Sequence, residues 1–233
     1  MAKLDQSEFL QKIRGNLIVS CQALEDEPLF DPKMMAKMAV AAKEGGSVAI
    51  RANFPDQIAA IQAATGLPII ALYKKVYAHS NVYITSTMEE IDALMALQPE
   101  VIAMDATRQI RPGGLDINAF FEEVKKKYPD QLFMADTSCF EEGVLAEKIG
   151  FDLVSTTLSG YTPYTIDRLL PDYDLMQRYC EHLRIPIIAE GGIWTPQELK
   201  KTFETGVWAA VVGTAITRPK EITRRFIQLA GLQ

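Results

Sequence analysis

Six polar residues stand where short apolar runs stop. Gln22 follows LIVSC, Arg51 follows VAI, Lys74 follows IIALY, Asp105 follows VIAM, Asp136 follows LFMA and Glu190 follows IIA. Burying an ion is expensive, so charge at the end of an apolar run points to chemistry more than to packing. A lysine amine and a carboxylate that reach one atom can take a proton from it and return one. An arginine beside them can hold an anionic oxygen. These residues are far apart in sequence, so only the fold can bring them together.

A second set follows the last two runs. Gly191-Gly192 come directly after Glu190, Gly213-Thr214 come directly after AAVV, and Arg218-Pro219 lie four residues beyond Thr214. Glycine permits a tight turn and a close approach of backbone to ligand. Backbone N–H groups from two such loops suit a phosphate, with the Thr214 hydroxyl and the Arg218 charge beside them.

The elements that must position these groups alternate in type. A short helix is expected at residues 5–13, followed by eight strand–helix pairs. Strands are expected at 17–21, 47–50, 67–72, 101–104, 132–135, 152–155, within 186–193 and at 209–212. Helices are expected at 32–44, 55–65, 87–97, 116–128, 138–149, 172–183, 195–205 and 219–229. Continuous apolar runs joined by amphipathic stretches describe parallel strands buried on both faces. The expected fold is therefore α/β: a single (β/α)8 TIM barrel over residues 1–233 with a short N-terminal helix. The six polar residues then share the C-terminal rim, where barrel enzymes keep their chemistry. The two glycine loops follow strands seven and eight, the usual place for phosphate.

Composition narrows the function further. The net charge of −6 argues against non-specific nucleic-acid binding. No run approaches a membrane span. Three cysteines, Cys21, Cys139 and Cys180, with no CxxC, fit reduced thiols and a cytoplasmic location. His79 and His182 stand alone, with no HxH or HExxH, so no metal site is expected. The loop after strand four carries Arg108 and Arg111. Trp194 and Trp208 are expected to pack between helices and barrel. Tyr161 and Tyr164, in the long loop after strand six, either cover a ligand or are incidental.

Longer strings surround these residues: LIVSCQALEDEPL, VAIRAN, LPIIALYK, NVYITST, MDATRQIRP, ADTSCFEEG, TLSGYTPYT, IAEGGIWTP and VVGTAITRP. In this order, over almost the whole chain, they resemble the N-acetylmannosamine-6-phosphate 2-epimerase family of phosphate-binding barrels. The resemblance implies interconversion of N-acetylmannosamine 6-phosphate and N-acetylglucosamine 6-phosphate, a step in sialic acid and N-acetylmannosamine use. It implies no metal, no organic cofactor, and a homodimer. It matches Lys74 to the catalytic lysine and Glu190 to its acidic partner. Gln22, Arg51 and Asp136 match substrate-contacting positions. The chain departs from the family where YKKVYA replaces IKRDYP, where Thr214 replaces a glycine, and where Trp194 replaces a histidine. The same residues would also serve a Schiff-base aldolase or another sugar-phosphate lyase on this scaffold, and the glycine loops alone would serve a non-catalytic sugar-phosphate binder.

Overall fold

In a computed structural model, which describes residues 4–232, eight parallel strands close on themselves in sequence order. The chain runs α1 (Gln6–Ile13), β1 (Leu17–Cys21), α2 (Pro32–Glu44), β2 (Ile50–Asn53), α3 (Pro55–Thr65), β3 (Ile69–Leu72) and α4 (Met88–Met95). It continues β4 (Val101–Asp105), α5 (Ile117–Lys127), β5 (Leu132–Asp136), α6 (Phe140–Ile149), β6 (Leu153–Ser155) and α7 (Tyr173–His182). It ends β7 (Ile187–Glu190), α8 (Pro196–Glu204), β8 (Ala209–Val212), α9 (Thr214–Thr217) and α10 (Pro219–Leu229). This is the TIM barrel expected from the alternation.

The strands sort their side chains into two apolar layers, as period-two geometry requires. Ile18, Ala49, Ile70, Leu72, Val101, Ala103, Leu132, Met134, Leu153, Ile188, Ala209 and Val211 form the barrel interior. Phe9 and Ile13 of α1 join that set, so the N-terminal helix packs against one end of the barrel. The alternate residues, among them Val19, Ile50, Ile69, Ile102, Phe133 and Val154, pack outward against Met35, Ile58, Ile61, Leu94 and Phe121 of the helices. Local chemistry starts the helices where the sequence says. Asp5, Asp31, Asp116 and Asp172 each accept a backbone N–H at a helix start. Thr195 and Glu198 form a reciprocal capping box at α8.

Several bounds shift by a residue or two, such as the third strand at Ile69–Leu72, and two differences are larger. The second strand, expected at 47–50, lies at Ile50–Asn53. Just before it, the Ser47 hydroxyl accepts from Val19 N at 3.0 Å and donates to Ala49 O at 2.8 Å, sharing both groups with a long Val19 N–Ala49 O bond of 3.4 Å. Arg51 is therefore inside the strand rather than beyond it. A short helix, α9, also intervenes after β8, where a loop was expected. Trp208 packs as expected: its indole N–H donates to Leu10 O of the N-terminal segment at 2.9 Å. Among the described residues, no helix is long and apolar enough to cross a membrane.

Candidate active site

The six rim residues all lie in register with the barrel's inward set. Residues 18, 20 and 22 alternate inward on one strand, as do 49 and 51, 72 and 74, 103 and 105, 134 and 136, and 188 and 190. The same rhythm extends β6 through Ser155 to Thr157. At the C-terminal end the apolar lanes give way to polar groups, and these line or underlie a cleft of about 440 Å³.

Arg51 is at its centre. It is only 1% exposed, and its two terminal nitrogens clasp Asp136, at 3.0 Å from Nη1 to Oδ1 and 2.6 Å from Nη2 to Oδ2. Nη1 also lies 3.0 Å from Glu190 Oε2. Asp136 Oδ1 accepts further from Ser155 Oγ at 2.8 Å. Thr157 Oγ1 sits 2.9 Å from Glu190 Oε2 and 3.1 Å from Asp136 Oδ1. The Glu190 backbone is clamped by Thr156, whose hydroxyl donates to Glu190 O at 2.8 Å and accepts from Glu190 N at 3.1 Å. Two carboxylates from β5 and β7 are thus fixed by one guanidinium from β2.

Lys74 stands just past β3. Its backbone N–H donates to Asn53 Oδ1 at 2.9 Å, and it pairs with Ile84 across a short antiparallel contact. Its side-chain amine has no hydrogen-bond or ion-pair partner among the described residues, although it lines the same cleft as Glu190 and Arg51. Burial, then the Arg51 charge, lowers its pKa to about 8, against a weaker upward pull from Glu190 and Asp136. Burial raises the Glu190 carboxyl, with Arg51 opposing. The two groups are therefore shifted towards each other, the arrangement that suits proton exchange near neutral pH. Lys75, by contrast, is exposed and its ammonium lies 5.4 Å from the centre of the Tyr77 ring.

The glycine loops border the cleft opposite Lys74. Gly191 and Gly192 have φ of +111° and +72°. A Cβ on Gly192 would lie 2.4 Å from Leu170 Cβ, so no other residue fits there. Gly213 and Thr214 line the same wall. Arg218 also lines it, but its charge is already engaged by Glu27, with Nη2 2.5 Å and Nε 2.9 Å from Oε1. Gln22 reaches the cleft with Nε2 donating to Ser20 Oγ at 2.5 Å, leaving its buried Oε1 without a partner.

Several placements depart from the sequence expectation. Asp105 is fully buried and outside the cleft lining. Thr107 holds its Oδ1, and burial raises its pKa to about 6. Arg111 is equally buried and donates to the carbonyls of Thr85, Ser86 and Asp105, which is a structural role. Trp194, expected between helix and barrel, stands at the cleft mouth with the Arg225 guanidinium 4.5 Å from its ring. Tyr161 lines the cleft, whereas Tyr164 is bound to Glu142 and carries Arg108 over its ring. Tyr83 lines the cleft too and was not singled out from sequence. The inward rhythm could have found Ser155 and Thr157; nothing in residue type marks Tyr83.

The family description "Putative N-acetylmannosamine-6-phosphate epimerase" matches residues 35–231. A relative from Caldanaerobacter subterraneus subsp. tengcongensis is 54% identical over 222 residues, covering 95% of this chain and 94% of its own length. One from Clostridioides difficile is 50% identical over 220 residues, covering 94% and 98%. Both are named "Putative N-acetylmannosamine-6-phosphate 2-epimerase". This chain belongs to that family. The solved N-acetylmannosamine-6-phosphate 2-epimerase from Clostridium perfringens superposes with a TM-score of 0.92 at 47% identity, covering 98% of this chain and 99% of that one. A thiamine phosphate pyrophosphorylase from Pyrococcus furiosus, at 16% identity and a TM-score of 0.62, shares the fold alone. Among the described residues of this epimerase-family chain, no three His, Cys, Asp or Glu side chains are grouped to hold a metal.

Cutting the clasp tests its structural weight. Asp136→Ala leaves the Arg51 charge buried with half its partners gone and should cost about 3–5 kcal/mol of stability in urea denaturation. A loss below about 1 kcal/mol would show that Arg51 finds solvent or another partner.

Proposed function

We propose that this chain inverts C2 of N-acetylmannosamine 6-phosphate to give N-acetylglucosamine 6-phosphate, as its family name implies. The observation that carries this reading is the pair of shifted groups on one cleft: an unpartnered amine at Lys74 and a carboxyl at Glu190. The C2 hydrogen of the closed sugar is barely acidic. Ring opening places it beside the C1 aldehyde, where its removal gives a planar enolate.

In this reading the neutral Lys74 amine takes the C2 proton and becomes an ammonium. The C–H electron pair moves into the C1–C2 bond, and the carbonyl pair moves onto the C1 oxygen. A protonated Glu190 returns a proton to the opposite face of C2, and the carbonyl re-forms. The amine is suited to the first step because burial and Arg51 hold its pKa near 8. The carboxyl is suited to the second because burial raises it. Arg51 offers no open fork, since both terminal nitrogens serve carboxylates. Its part is to supply the positive field that the enolate oxygen needs. Gln22 and Asp136 belong to the wall and floor that orient the open chain. Gly191, Gly192, Gly213, Thr214 and Arg218 would hold the 6-phosphate, whose binding energy keeps the scarce open form in place.

The same proposal places the enzyme in the cytoplasm, consistent with three free cysteines, two of them buried. It also makes the protein a homodimer. α10 buries none of its residues, and Phe226 and Leu229 on it are 74% and 72% exposed. A second copy would cover that apolar surface. Phe226→Glu should then shift the sedimentation velocity profile from dimer to monomer; a wild-type monomer would end the dimer proposal.

Turnover is read by proton NMR on N-acetylmannosamine 6-phosphate. Lys74→Ala should lose roughly 10²–10⁴-fold in rate while still folding, and Lys75→Ala should stay within about twofold of wild type, because Lys75 is exposed and outside the cleft. In D₂O the product should carry deuterium at C2. A Lys74→Ala variant that turns over normally, or product free of label, contradicts the scheme. Borohydride trapping of substrate on Lys74 would favour a Schiff-base lyase instead.

A further inference from the structure

Tyr83 is a cleft-lining side chain that the proton-transfer scheme leaves unused. It sits in the segment after β3 that carries Lys74. Lys75 N donates to Tyr83 O at 3.0 Å, Thr85 N donates to Tyr73 O at 2.8 Å, and Lys74 pairs with Ile84. The Thr85 hydroxyl accepts from Tyr73 N at 3.1 Å and donates to Ala103 O of β4 at 2.7 Å. Asp105 N donates to Ile84 O at 3.0 Å. Tyr83 and Ile84 are thus locked to the backbone that positions the Lys74 amine, and tied to the barrel wall behind it.

The Tyr83 hydroxyl has no hydrogen-bond partner among the described residues, though its side chain is largely covered. That hydroxyl keeps accessible surface, so a ligand in the cleft can reach it. Burial raises its pKa, with Asp105 and Asp136 adding to the effect, so it remains a neutral O–H donor. Most other donors around the reacting carbon are engaged, Arg51 Nε excepted. Arg51 serves Asp136 and Glu190, the Thr157 hydroxyl lies against the same two carboxylates, and Gln22 Nε2 serves Ser20. Lys74 is reserved for the C2 hydrogen.

The substrate supplies the matching acceptor. If the 6-phosphate lies on the wall of Gly191, Gly192 and Gly213, the C1–C2 end reaches the wall of Lys74, Tyr83 and Ile84. The acetamido group is bonded to C2 itself, so it must fall within one or two bonds of the atom Lys74 attacks. Its carbonyl oxygen needs a neutral donor and its methyl needs an apolar contact. We propose that the Tyr83 hydroxyl donates to the acetamido carbonyl oxygen, with Ile84 against the methyl, and so selects N-acetyl amino-sugar phosphates over sugar phosphates with a hydroxyl at C2. This rests on the epimerase reading for the position of C2.

The test uses two probes that cannot epimerise. These are the borohydride-reduced, open-chain alditols of N-acetylmannosamine 6-phosphate and of mannose 6-phosphate, titrated calorimetrically into wild type and Tyr83→Phe. Wild type should bind the acetamido alditol more tightly. Tyr83→Phe should reduce that preference about threefold to tenfold, the contribution of one neutral hydrogen bond, and leave the affinity for the mannose-derived alditol unchanged. A wild type without the preference overturns the proposal. So does a variant that keeps it, whether or not both affinities fall together as a structural defect would make them. The binding ratio needs no turnover, so an absence of epimerase activity in wild type would count against the epimerase reading and leave the Tyr83 result readable on its own.

Discussion

One buried guanidinium sets the electrostatics of this barrel. Arg51 cannot release its proton, so its charge must be met inside the protein. Asp136 meets it with both oxygens and Glu190 with one. Asp136 balances the arginine. Lys74 and Glu190 then form a remainder that is neutral whether the proton sits on the amine or on the carboxyl. Moving a proton between them by way of a bound carbon leaves the net charge of the buried site unchanged. In a site where uncompensated charge is costly, that is the condition for easy proton traffic.

The barrel supplies the geometry. Each strand alternates inward and outward, and the inward lanes that hold Ile188, Met134, Leu72 and Ala49 lower down carry Glu190, Asp136, Lys74 and Arg51 at the top. The packed interior beneath fixes where those groups point. Register aligns them further: Asp105 pairs with Asp136, and Asp136 with Ser155, across β4, β5 and β6. Groups held by short strands in a closed sheet need little rearrangement at the moment of reaction, which is what electrostatic stabilisation requires. The wall of the two glycine loops follows different rules, since it is made by turns that need glycine, with Gly192 crowded against Leu170.

Much of this was legible before any coordinates. Eight apolar runs, five of them ending in a charge and one in Gln22, gave the barrel and its rim because a buried parallel strand has a strong compositional signature. The family strings carried the activity. What stayed hidden depends on distance in space. The Ser47 hydroxyl shares Val19 N and Ala49 O with the backbone bond between them at the start of the second strand, a contact that no periodicity shows. Glu27 engages Arg218 from 191 residues away. Asp105 and Asp136 look alike in sequence, yet one accepts an arginine while the other keeps an unpaired oxygen out of the cleft. Tyr83 is invisible as a candidate because an aromatic in a loop reads as packing until its hydroxyl is seen without a partner.

The central claim is that burial and the Arg51 charge keep the Lys74 amine available as a base. It is tested most directly by an NMR titration of protein carrying ¹³C,¹⁵N-lysine, with the Lys74 signal assigned by difference from Lys74→Arg. The account predicts a midpoint near pH 8, well below the ordinary lysine value of about 10.4. The neutral form then grows as pH rises towards 8 and dominates above it. A midpoint at 10 or higher would mean that the amine stays charged at neutral pH and cannot take the proton.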